Sequence, residues 1–220
     1  MIKTALTMAA SLAVGIGGAF ANTVDYNYGS SLTIDPAGGT APFTPRITMQ
    51  EAGTITDLDV YLTGFSHESW REVDIVFLLR SEDDTFWERA VVLRSEFSLT
   101  FDQESVSSVD MVFDDEATLD VPVSGLMSGT FKPTDRWDYI ATGFLDPIPV
   151  VVTLAEFADG LQGDRTFALF AFDYFGPENG GSIVDWGLRA TLADTQAVPL
   201  PGVGLALGFA LVGLVGRQRS

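Results

Sequence analysis

Three groups of oxygen-bearing side chains hold most of the chemical potential of this sequence. Asp114, Asp115 and Glu116 follow one another directly after an apolar run. Asp173 and Asn179 bracket a Gly- and Pro-containing turn, and Glu72 and Asp74 open another apolar run from which they could join either group. Adjacent carboxylates repel one another unless they are solvated or neutralised by a cation. With no cysteine and a single histidine, His67, the chain cannot build a thiolate or His-rich metal site. A metal here would be hard and oxygen-bound, Ca2+ first, since calcium takes about six to eight carboxylate and carbonyl oxygens. No EF-hand loop is present. Solvation is the competing use of the same acids.

Catalysis finds little support. A Ser-His-Asp triad needs a histidine base, and only His67 is available, without a serine turn of the nucleophile type. Among 30 acidic residues many carboxylate pairs arise by chance, so no glycosidase pair can be singled out. Trp70, Trp87 and Trp137 could line a surface for an extracellular polysaccharide, whereas Trp186 belongs to a core pattern. The 30 acids face 12 Lys and Arg, a net charge of −18, which repels phosphate backbones and speaks against nucleic-acid binding.

The elements that position these residues read as strands. Trp186, Leu188, Ala190 and Leu192, with Val184, alternate with Asp185, Arg189 and Thr191, the pattern of a half-buried strand. Leu58, Val60 and Leu62 alternate with Asp57, Asp59, Tyr61 and Thr63, and Val73, Ile75, Phe77 and Leu79 share another face. Further strands are expected at 90–93, 111–113, 150–154 and 167–172, and Ser81 to Asp84 marks a turn. About eight strands without a long amphipathic helix predict an all-β sandwich or jelly roll.

The two ends differ from this middle. Residues 1–21 combine Lys3, an apolar stretch from Ala5 to Ile16 and the small-x-small sequence Ala19-Phe20-Ala21, as a signal peptide cleaved by signal peptidase after Ala21 requires. Residues 197–220 hold Val198-Pro199-Leu200-Pro201, a Gly-rich apolar run from Val203 to Gly216, and a terminal Arg217-Gln218-Arg219. A short transmembrane helix with its basic end on the cytoplasmic side is expected there. Between them lies one domain, residues 22–196.

The order of proline motif, apolar run and basic end resembles the PEP-CTERM sorting signals in their VPLPA-type variant. Here Gly202 stands in place of the usual Ala. The resemblance implies an exosortase-type sorting enzyme as partner, delivery to the envelope or matrix, and a tail that holds the protein in the inner membrane transiently or permanently.

Five blocks of the middle, in order, resemble the P domain (P/Homo B domain) of subtilisin-like proprotein convertases. They are Gly53 to Val60, His67 with Glu72 to Ile75, Phe113-Asp114-Asp115-Glu116-Ala117, Ser128 to Pro133, and Asp173 with Asn179, Gly181, Ile183, Trp186 and Leu188. The resemblance implies a galactose-binding-like jelly roll, bound calcium held by residues of the three acidic groups, and a structural His67. Glu72 and Asn179 stand where the family has Asp, and 135–150 reads as an insertion. The expected function is a non-catalytic, calcium-stabilised envelope domain with a structural or adhesive role. A carbohydrate-binding module, or an accessory domain for a separately encoded protease, is the alternative.

Overall fold

The structure is a computed structural model that describes residues 21–35, 45–95, 104–136, 147–162, 164–173 and 179–193. In chain order its strands are β1 (Ala21–Asn27), β2 (Leu32–Ile34), β3 (Arg46–Met49), β4 (Thr54–His67), β5 (Val73–Arg80), β6 (Trp87–Ser95) and β7 (Val106–Phe113). Then come β8 (Gly129–Phe131), β9 (Thr134–Asp135), β10 (Val150–Val151), the short helix α1 (Leu154–Ala158), β11 (Arg165–Asp173), β12 (Gly181–Ile183) and β13 (Asp185–Ala193). A 3-10 turn, Trp70–Glu72, links β4 to β5.

These strands form two sheets, an all-β sandwich. In the first, β4 pairs with β13 and β12 on one side and β7 on the other, with β8 beyond β7. In the second, β5 lies between β6 and β11, with β3 beyond β11. The predicted alternation makes the first sheet: Leu58, Val60, Leu62, Trp186, Leu188, Ala190 and Leu192 are buried, while Asp57, Asp59 and Arg189 face out. Ile75, Phe77, Leu79, Val91, Leu93, Phe167 and Leu169 meet them from the second sheet. Phe77 stacks on Phe167 at 5.5 Å and meets the edge of Trp186 at 6.2 Å, joining the sheets through an aromatic contact.

β5 is buried on both faces. Its other parity, Val76 and Leu78, packs with Ala90, Val92, Ala168, Phe170 and Phe172 on the outer side of the second sheet. The continuous apolar run of β5 thus reflects two apolar surroundings instead of one.

β1 and β2 act as one edge strand along β13 and β12. Their registers run Ala21↔Ala193 to Asn27↔Gly187, then Leu32↔Ile183 to Ile34↔Gly181. Residues 28–31 therefore oppose 184–186, one residue more on the outer strand, which is a bulge. Gly29 takes φ +76 there, and its N–H donates to Asp185 Oδ1 at 2.8 Å.

Two expectations need correction. Val184 is 57% exposed and does not join the inward face of β13, because the strand is interrupted at this residue, between β12 and β13, where Val184 lies over Gly64 with its φ of +65. The strand expected at 150–154 stops at Val151, and Leu154 starts α1. Thr153 is the helix cap: its hydroxyl oxygen accepts from the Glu156 N–H at 3.0 Å, and Glu156 accepts from the Val152 N–H at 3.1 Å.

Ala21 opens β1, while Ala19, the rest of the expected leader, Val198-Pro199-Leu200-Pro201 and the whole tail lie outside the described residues. No helix among the described residues is long and apolar enough to cross a membrane.

Candidate functional site

The polar groups that fold inward gather where the two sheets close, around the end of β4. His67 is the last residue of that strand, and Gly181 of β12 pairs with it. A Cβ at Gly181 would stand 2.2 Å from His67 Cδ2, so the imidazole occupies the space that any larger residue would need. The Ser69 N–H donates to His67 Nδ1 at 3.0 Å. That bond assigns the ring proton to Nε2, which faces Asp173 Oδ2 at 3.6 Å. Both side chains are inaccessible to solvent. Burial pushes the His67 pKa down to about 4, and the positive charge of Arg94 pushes it the same way. A cleft of about 470 Å³ with Ser66, Glu68, Ser105 and Ser182 in its lining runs past the rim of this residue.

Arg94 enters the cluster through an irregularity in β6. Val76 pairs with Val92, but Ile75 pairs with Arg94, so Leu93 is the extra residue of a bulge. Directly opposed residues share a face, and Ile75 belongs to the inner core. Arg94 is therefore turned inward and is fully buried. Its guanidinium carbon lies 4.7 Å above the Trp70 ring. Its N–H groups donate to the carbonyl of Val73 and, at 3.2 Å, to that of Arg71, gripping the backbone on both sides of Glu72.

The candidate ligands are brought together only in part. Asp173 opposes Val73 on β5, and Val73 is an inner-core residue, so Asp173 faces inward. Asp74 opposes Phe172, which packs on the outer side of the second sheet, so Asp74 faces the other way. Glu72 is buried and accepts a long hydrogen bond from Asn179 Nδ2 at 3.5 Å.

The other group lies at the far end of β7. His67 pairs with Val106, the first residue of that strand, whereas Asp114 follows Phe113, its last. About seven residues at ~3.3 Å each separate the two ends, roughly 23 Å. Asp114 Oδ1 accepts from the Glu116 N–H at 2.7 Å. Asp115 accepts from the Leu154 and Ala155 N–H groups at 3.0 and 2.7 Å, and so caps the start of α1. Among the described residues no three His, Asp or Glu side chains are grouped to hold a metal ion.

Asp59 escaped the sequence reading. It sits on the outer face of the first sheet opposite Arg189, which in turn opposes Asp25. Arg189 donates to Asp25 at 2.7 Å. Burial, then the charges of Asp57 and Asp114, raise the Asp59 pKa to about 6. A shallow cavity of about 330 Å³ opens here between Asp25, Asp59, Tyr61, Asp110 and Arg189.

The described tryptophans do not form an exposed platform. Trp70 and Trp186 are fully buried, and Trp87 is covered by Arg80 at 4.5 Å and Arg46 at 5.8 Å. Trp137 lies outside the described residues.

No family model matches the chain, and no curated protein matches it. Among solved structures, it is similar to one chain of the crystal structure of an Aeromonas sobria serine protease and chaperone complex, with 14% identity and a TM-score of 0.33. The match covers 79% of this chain and 28% of that one, and a score of this size does not equate the two folds.

Proposed function

We propose that this chain is an exported, non-catalytic β-sandwich of the cell envelope or extracellular matrix, with a structural or adhesive role. The observation that carries the reading is the two-sheet all-β body of the described residues, taken together with the two end motifs of the sequence. In this reading the sandwich is a P-domain-like jelly roll, and an exosortase-type enzyme acts on Val198-Pro199-Leu200-Pro201.

The state of His67 supports a non-catalytic role. A triad histidine receives a proton at one nitrogen while a carboxylate orients the other. Here Nδ1 is occupied by the Ser69 N–H and Nε2 points at a buried carboxylate, so neither nitrogen faces a nucleophile. Trp70, Trp87 and Trp186 lend no platform to a carbohydrate-binding reading.

Cell fractionation tests the proposal. The full chain, produced in a Gram-negative host that carries an exosortase-type enzyme, is expected in the envelope or medium. A variant truncated before Val198 should be exported but not retained. Recovery of the full chain in the cytoplasm would overturn the reading.

A further inference from the structure

We propose that the Arg94 guanidinium is the resident cation of the buried cluster, standing where the family resemblance leads one to expect calcium, and that the sandwich closes without a metal ion. Calcium sites draw on backbone carbonyls beside carboxylates. The carbonyls that flank Glu72, those of Arg71 and Val73, already accept from Arg94. A guanidinium is charged at any pH a folded protein meets, and its planar fork suits two acceptors at once. Its charge is felt at His67, whose pKa it helps to depress. A divalent ion placed beside it would meet a fixed positive charge at low dielectric and be repelled.

The carboxylates have likewise been put to other uses. Asp173 faces His67, Glu72 receives Asn179, and Asp74 points to the other side of the sheet. Asp115 caps α1, roughly 23 Å away by the strand rise. The β6 bulge is the device that makes the exchange possible. Without the extra residue at Leu93, strict alternation from Val92 would turn position 94 to the outer face. Trp70 then holds the guanidinium from below, which offsets part of the cost of burying it. Because Arg94 lies on the second sheet and His67 on the first, the cluster acts across the sandwich seam.

Thermal unfolding of the full chain in mild detergent, with excess calcium and with EGTA, tests it. A ligand that binds only the native state raises the midpoint. The expected result is midpoints within about 1 °C of each other, and a rise of about 3 °C or more in calcium would overturn the proposal. Arg94→Met keeps an apolar stem over Trp70 and removes the charge. Its midpoint in EGTA is expected to fall by about 10 °C, from breaking a buried charged network. An unchanged midpoint would overturn the proposal. Should that variant fail to fold, the wild-type comparison decides alone.

Discussion

His67 and Asp173 meet across the sandwich, with Nε2 3.6 Å from Oδ2, one side chain arriving from β4 of the first sheet and the other from β11 of the second. The contact closes an end of the molecule that apolar packing leaves polar. As His67 is the only histidine in the chain, any imidazole signal can be assigned to it without mutagenesis.

Acid should loosen this closure. The His67 pKa is 6.5 as a free group and about 4 in the fold. Between those values the unfolded chain binds the additional proton and the folded chain does not. Stability from this residue is therefore intact above pH 6.5 and declines as pH falls toward 4. The urea midpoint at a series of pH values checks the slope. His67→Asn supplies an oxygen for the Ser69 N–H and cannot titrate here, so it should flatten that part of the profile. An unaltered profile would show that His67 is not the titrating group.

Asp59 pulls in the opposite direction. Its folded pKa, about 6, lies above the 3.8 of a free aspartate. The folded chain holds the proton more tightly, so this contribution is complete below pH 3.8 and is lost as pH rises through 6. At neutral pH the ionised carboxylate is a burden among its acidic neighbours. Asp59→Asn should raise stability by roughly 0.5–1 kcal/mol once solvent screening is allowed for. A shift of the denaturant midpoint at constant slope is the measurement.

Asp115 is predicted to act through α1. Its two oxygens hold the first N–H groups of the helix from another part of the chain. Asp115→Ala should cost about 1 kcal/mol, the usual worth of a cap, and Asp115→Asn less, because one acceptor survives. Chemical denaturation of the two variants compares them directly.

Gly181→Ala probes the seat of His67. The added methyl would stand 2.2 Å from the imidazole and 2.6 Å from the Ser66 carbonyl oxygen, which is backbone. Overpacking of this kind costs about 1–3 kcal/mol. The single imidazole resonance should move, whereas a merely local strain would leave it in place.

Much of the sandwich was legible because half-buried strands print their two faces on alternate residues, as Leu58 to Leu62 and Trp186 to Leu192 do. The helix at Leu154 was missed, because the apolar run from Val150 read as a strand, although Thr153 and Glu156 carry the spacing of a cap. The polar cluster was only half visible. Alternation predicts faces within a strand, and a bulge breaks it without a marked residue type, so Arg94 could not be placed inside. Glu72 and Asp74 were read as able to join either Asp173 or the Asp114 group, and the choice, with the side of the sheet each one faces, depends on the β5–β11 register, a long-range property. Asp115 reads as one acid among three, and its role depends on a helix 39 positions later.

The central claim, that the chain is exported with its leader and tail removed, is tested most directly by the N-terminal sequence and intact mass of the protein recovered from the envelope or medium. The account predicts a chain that starts at Asn22 and has lost the residues beyond the Val198-Pro199-Leu200-Pro201 motif. A chain that starts at Met1, or one recovered only from the cytoplasm, would contradict it.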